Sequence, residues 1–129
     1  MRLLLDTHVF LWAAGEPEEL AEPARSAIAD TENEVYVSTA VAWEITIKTA
    51  LGKLKVPGGP ATWFPARIRA LGFDGLPILP EHALAVGALP DLHRDPFDRI
   101  LVAQAQLEGM QLVTRDPEIQ KYPVKFLPA

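Results

Sequence analysis

The sequence predicts an α/β fold: one domain over residues 1–129, with a central, mostly parallel sheet of four to five strands and helices on both faces. Three observations predict it. Apolar runs too short for helices, such as Arg2–Asp6 and Gln111–Thr114, alternate with longer segments of helical spacing, the pattern of strands joined by crossover helices. Helix-start devices recur, with Ser38-Thr39 after one run, Asp116-Pro117 after another, and Asp95-Pro96 opening the longest amphipathic segment. Gly15, Gly52 and Gly109 stand where three of the helices should stop.

Taken in order, Arg2 to Asp6 reads as a buried strand ending in an acid and Thr7. His8 to Ala14 reads as a helix, and Pro17 opens a second that runs to about Ala29. Val35–Val37 is the second strand. The helix after it is capped by Ser38 or Thr39 and runs to Leu51; within it Ala40, Glu44, Ile47 and Leu51 share one row, so Glu44 interrupts an apolar stripe. After the Gly58-Gly59-Pro60 turn comes a helix bearing Trp63, Phe64, Ile68 and Leu71, in which Pro65 must fall in the first turn or break it. Leu76–Leu79 is the third strand and Glu81–Leu89 a short helix. The Asp95 helix carries Phe97, Leu101 and Ala105 on one row and Ile100, Ala103 and Leu107 on another, Gln111–Thr114 is the fourth strand, and Val124–Leu127 the fifth.

Composition removes several classes of function. With 49% hydrophobic and 22% charged residues the chain has enough apolar material for a core, and no apolar run approaches the roughly 20 residues of a membrane span. The start, MRLLLDTH, reaches an acid too soon for a signal peptide, so a cytoplasmic protein is expected. Zero cysteines exclude disulfides, thiolate zinc sites and a cysteine nucleophile, and His8, His82 and His93 lack zinc-motif spacing, so a bound metal is expected on oxygen. The net charge of −5 is unevenly spread: seven acids face the single cation Arg25 between Glu16 and Glu34, while Lys48, Lys53, Lys55, Arg67 and Arg69 lie in an acid-free stretch. One face is therefore either basic and suited to phosphates, or a solvated helix surface.

The acids are the chemistry. In a parallel sheet each connecting helix starts at the carboxyl edge, where ligands of open α/β folds bind. Asp6 ends the first strand, Asp116 follows the fourth, and Asp98 lies in the first turn of the helix that leads to the fourth. Glu44 lies roughly 8 Å down its helix and points back toward the helix start. Each has an alternative use: Asp6, Asp95 and Asp116 as caps, Asp98 as a partner of the helix dipole, Glu44 paired with Lys48. Together at one edge they would repel unless a cation neutralises them, and a hard ion held by carboxylates points to Mg²⁺ or Mn²⁺.

The LLLDTH start, AWEITIK followed by GKL, the DPFDRILVAQA segment and the VTRDP segment together resemble a PIN domain, nearest to the VapC-type toxin ribonucleases of toxin-antitoxin pairs. The likeness covers nearly the whole chain. It implies a central parallel sheet, a divalent metal, RNA cleavage to a 5′-phosphate and a 3′-hydroxyl, a homodimer and a cognate antitoxin protein. It places Asp6, Glu44, Asp98 and Asp116 on the family's acidic quartet, with Asp95 beside the third acid and the hydroxyls of Thr7 and Thr114 beside the first and fourth. Thr7 and Thr114 also suit plain strand-end turns.

Arg94, Arg99 and Arg115, close to the acids in sequence, and Lys48, Lys53 and Lys55 are candidates for contacts to the RNA backbone, although Arg99 could equally pair with Asp95. Phe10, Leu11, Trp12 and Trp43 follow the acid-bearing segments and either fill the core or receive the antitoxin. Two other classes of function remain open: a noncatalytic interaction module, and a phosphotransferase with Asp6 as nucleophile, against which stands the lack of a second aspartate two residues on.

Overall fold

The computed structural model describes residues 1–129. Five strands, β1 (Arg2–Leu5), β2 (Glu34–Ser38), β3 (Asp74–Leu76), β4 (Gln111–Thr114) and β5 (Phe126–Pro128), form one sheet in the order β3-β2-β1-β4-β5. Every pairing is parallel, with Leu5 opposite both Val37 and Val113. Seven helices connect them: α1 (Thr7–Gly15), α2 (Glu22–Ala29), α3 (Thr39–Ala50), α4 (Pro60–Leu71), α5 (Pro80–Ala85), α6 (Pro96–Glu108) and α7 (Pro117–Gln120). The chain leaves β1 toward β2 and β3, then returns to the other side of β1 for β4 and β5. The strand order therefore reverses between β1 and β4, and a crevice opens at their carboxyl ends.

Burial explains the strands. Leu3, Leu4 and Leu5 are fully buried, as are Leu112 and Val113, so the central strands are apolar on both faces because helices cover both. Phe10 anchors the layer under α1 and α4, with Trp63, Phe64 and Phe73 rings 5.8, 5.3 and 6.5 Å away.

Several boundaries differ from expectation. The helix expected from Pro17 to Ala29 is a 3₁₀ turn, Pro17–Glu19, then an extended step through Leu20 and Ala21, then α2. Pro23 lacks the N–H that a continuous helix would need there and suits a first turn, while the break lets Leu20 enter the core. β3 ends at Leu76, three residues earlier than expected, because Pro77 cannot donate to the ladder; its carbonyl accepts from the Gln104 side chain at 3.3 Å. β5 starts at Phe126, since Val124 is held in a tight turn onto the Tyr122 carbonyl. The short helix expected over Glu81–Leu89 tightens to a 3₁₀ turn at Val86–Ala88.

Pro65 lies mid-helix in α4 without breaking it; Ala61, whose carbonyl loses its partner, is exposed, so water can satisfy it. On α3 the inward face is Ala40, Val41, Glu44 and Ile45, whereas Ile47 and Leu51 are 36% and 63% exposed. Glu44 therefore belongs with Ala40 to the buried face, and the rest of the stripe it was expected to interrupt, Ile47 and Leu51, points outward. No helix is long and apolar enough to cross a membrane.

Candidate active site

Three acids of the crevice, Asp6, Asp95 and Asp116, are placed as helix caps. Asp6 follows β1 and caps α1, its Oδ1 accepting from the Val9 amide at 2.8 Å. Asp95 caps α6, its Oδ1 accepting from the amides of Phe97 (2.9 Å) and Asp98 (3.3 Å), and Pro96 completes the device. Asp116, just past β4, caps α7 by accepting from the Glu118 amide at 2.9 Å. The caps read from sequence are real, yet these same residues line one cleft of about 460 Å³ with Thr7, His8, Trp12, Glu44, Lys48, His93, Asp98 and Arg115.

Five carboxylates thus face one cavity, against the two full cations Lys48 and Arg115. Asp98 carries the electrostatic consequence. Burial, then the adjacent Asp95 charge, pushes its pKa up to about 7; the His93 hydrogen bond opposes this, and Asp6 and Glu44 add to it. Asp6, 5% exposed, is raised as well, first by burial, against the lowering of the Thr114 hydroxyl and the Val9 amide. These are acids held together at a cost that a cation would relieve.

Glu44 is handled differently. Its Oε1 accepts from the Thr7 hydroxyl at 2.6 Å and its Oε2 pairs with Lys48 Nζ at 2.5 Å, so the buried carboxylate is partnered on both oxygens. Thr114 is fully buried, and its hydroxyl accepts from the Asp116 amide at 3.1 Å, tying β4 to the fourth acid.

Among the acids, a tight group emerges with a nitrogen in it. His93, Asp98 and Asp116 each offer one ligand atom within 4.8 Å of the others, and His93 Nε2 lies 2.9 Å from Asp98 Oδ2. The two carboxylates suit Mg²⁺ or Mn²⁺, and the imidazole tilts the set toward a transition-metal ion such as Mn²⁺, so the donor set fits a divalent ion. The expectation of oxygen ligands alone is thereby broadened. His93 escaped the sequence reading because its spacing matches no metal motif; the available signal was its place two residues before the Asp95 cap.

The candidate RNA-contact residues separate. Arg94, Lys53 and Lys55 are exposed, whereas Lys48 is inside the cleft on Glu44. Arg115 lines the cleft with its guanidinium 4.2 Å over the Trp12 ring, and donates to the Ala129 and Glu19 carbonyls. Arg99 makes no pair with Asp95. It donates to the carbonyls of Val86 (3.1 Å), Pro90 (3.0 Å) and His93 (3.4 Å) and to the Tyr122 hydroxyl (3.0 Å), fastening the loop that presents His93. Of the apolar candidates, Phe10 is fully buried, Leu11 and Trp12 are half-buried, and Trp43 is 59% exposed with its ring edge-on to Phe97 at 5.1 Å.

Known proteins share this fold. The PIN domain family model matches residues 3–125. Ribonuclease VapC22 of Mycobacterium tuberculosis is 30% identical over 125 residues, covering 93% of this chain and 91% of that protein. Ribonuclease VapC16 of the same organism is 39% identical over 59 residues, 46% of this chain. In fold, the chain resembles VapBC2 from Rickettsia felis bound to a DNA fragment from its promoter (TM-score 0.72, 15% identity, 99% of this chain and 98% of that one). It also resembles DNA-bound VapBC from Salmonella typhimurium (TM-score 0.70, 15% identity, the same coverage). With the family model spanning all four acidic segments and a full-length relative at this identity, the chain belongs to the PIN domain family.

Proposed function

We propose that this protein is a metal-dependent endoribonuclease and the toxin of a toxin-antitoxin pair. The observation that carries the reading is the convergence of Asp6, Glu44, Asp98 and Asp116 on one cleft at the β1/β4 reversal, in a chain related along its length to a VapC ribonuclease. His93, Asp98 and Asp116 would hold the ion, with Asp6 beside them and Mg²⁺ or Mn²⁺ as the fitting choices. When bound, the ion supplies Lewis acidity, lowering the pKa of a water for attack at neutral pH and neutralising charge around the scissile phosphate.

The chain's own groups do the rest. The helix caps fix Asp6 and Asp116 by one oxygen each, so the carboxylates are oriented before any ligand arrives. Thr7 and Lys48 hold Glu44. Arg115, pinned by backbone carbonyls and the Trp12 ring, presents a pre-oriented cation at the cleft wall, and exposed Lys53, Lys55 and Arg94 guide the RNA backbone. No side chain is required as a covalent nucleophile. The cognate antitoxin would seat on the half-exposed apolar groups Leu11, Trp12 and Trp43 beside the cleft, a reading supported by the VapBC complexes among its structural neighbours. The outward residues Ile47 and Leu51 on α3 support a homodimer.

Incubation of purified protein with cellular RNA tests the activity. Cleavage in Mn²⁺ that disappears in EDTA and in Asp98→Asn is the expected result. A second reading, a noncatalytic PIN module, draws on the caps, since Asp6, Asp95 and Asp116 all serve helix starts. Absence of Mn²⁺ binding at millimolar concentration, with no cleavage, would favour it.

A further inference from the structure

Two groups of side chains in the cleft are compensated differently. In the first, His93, Asp98 and Asp116 bring ligand atoms within 4.8 Å of one another. In the second, Glu44 is compensated: its two oxygens are taken by the Thr7 hydroxyl and the Lys48 ammonium, four residues along α3 on the same face. Glu44 is not part of the close ligand group. Lys48 lines the cleft, and its side chain is 37% exposed, so the ammonium is open to the cavity while its stem packs along α3.

We infer that Lys48 is the resident second cation of this site: the cleft binds one divalent ion, at His93, Asp98 and Asp116, and the Lys48 ammonium occupies the place beside Glu44 that a second ion would take. This rests on the reading of the cleft as a metal-dependent nuclease site. Two-ion phosphodiester hydrolases place cations about 3.5–4 Å apart to neutralise both the attacking and leaving oxygens. An ammonium can serve the second position as a point charge with three donors. The ammonium is paired with Glu44 on one side, and its side facing the cavity is where the non-bridging oxygens of the scissile phosphate would be met. Thr7 fixes the carboxylate from the other side, so Glu44 here positions Lys48.

Manganese binding followed by electron paramagnetic resonance and calorimetry, which need no turnover, tests this. Wild type should bind one Mn²⁺ per chain. Lys48→Met should bind two, the new ion on Glu44, and Lys48→Met/Glu44→Gln should return to one. Lys48→Arg should stay at one, because the positive charge persists. Lys48→Gln, with a thermal melt for each variant, guards against a folding defect in the methionine form. Two ions in wild type, or one ion of unchanged affinity in both Lys48→Met and Lys48→Gln, overturns the assignment of Lys48 while leaving the nuclease reading intact. No Mn²⁺ in any form overturns both.

Discussion

His93 Nε2 lies 2.9 Å from Asp98 Oδ2, so a loop residue and a first-turn helix residue meet at an acid whose pKa is strongly raised. Burial and Asp95 raise the Asp98 pKa from 3.8 to about 7, which gives metal-free stability a definite sign. Below about pH 4 both folded and unfolded chains hold this proton. Between pH 4 and 7 the unfolded chain loses it first, so unfolding gains and stability falls; above 7 the difference is constant. The loss from this group is roughly 4 kcal/mol at most. Asp6, also raised, has the same sign. Thermal melts in EDTA from pH 4 to 8 should show a steeper decline for wild type than for Asp98→Asn, and parallel curves would refute the coupling.

The two acids that open α6 should part company under substitution. Asparagine caps about as well as aspartate, so Asp95→Asn should cost less than about 0.5 kcal/mol, whereas Asp95→Ala gives up the bonds to the Phe97 and Asp98 amides and should cost about 0.5–2. Asp98→Asn keeps shape and removes charge from the ligand group. It should fold, melt higher than wild type in EDTA at pH 8, and lose most Mn²⁺-dependent cleavage. An active, folded Asp98→Asn protein removes this residue from the site.

The parts of the fold legible in sequence are those set by local chemistry. The caps at Ser38, Asp95 and Asp116 and the Gly109 stop, at φ 67°, announced their helices, and β4 matched its expected residues because an apolar run bounded by turn signals has little freedom. What failed depended on partners elsewhere. Leu20 breaks its expected helix to reach the core, and Ile47 and Leu51 turn outward because Ile45 and Val41 win the contact with the sheet. The acids could be gathered by topology alone, since parallel strands deliver their followers to one edge. His93 could not, because it arrives by a loop whose course is set by Arg99. The i,i+4 spacing did announce the Lys48–Glu44 pair, whereas the four backbone and hydroxyl partners of Arg99 lie 6 to 23 residues away and have no local signal.

Thr7 tests how strongly Glu44 depends on its neighbours. Valine fills the same space but leaves Glu44 Oε1 buried without its 2.6 Å donor, which should cost about 1–3 kcal/mol. Serine restores the hydroxyl and should recover most of that. Urea unfolding of Thr7→Val and Thr7→Ser beside wild type measures the difference, and equal midpoints for all three would show that the bond contributes nothing.

Lys53 and Lys55 are exposed after α3, and the proposed role is to meet RNA phosphates without reading bases. Each phosphate neutralised on a single strand contributes about 0.7 to the slope of log affinity against log salt, so Lys53→Gln/Lys55→Gln should lower the slope by about 1.4 and weaken all sequences alike. Filter binding with cleavage-deficient Asp98→Asn as the background reads both quantities. An unchanged slope makes this segment a solvated surface.

Arg99 gives the sharpest contrast between a residue that grips substrate and one that shapes the site. Its guanidinium reaches the Val86, Pro90 and His93 carbonyls and the Tyr122 hydroxyl, a fork that lysine cannot reproduce with one ammonium. Hydrogen bonds from a charged donor are worth about 1.5–3 kcal/mol each when lost from a partly buried site, and the bonds share one side chain, so their losses do not add. Arg99→Lys should therefore destabilise the fold by about 2 kcal/mol, free the loop before Asp95, and weaken Mn²⁺ binding through misplacement of His93. The salt slope of RNA affinity should stay at its wild-type value, because no phosphate contact is removed. A phosphate-binding Arg99 predicts the reverse, with melting temperature and Mn²⁺ affinity preserved and RNA affinity reduced. Measuring the three on one preparation decides between them, and a stable Arg99→Lys protein with normal Mn²⁺ affinity and weakened RNA binding would return Arg99 to the RNA-contact surface.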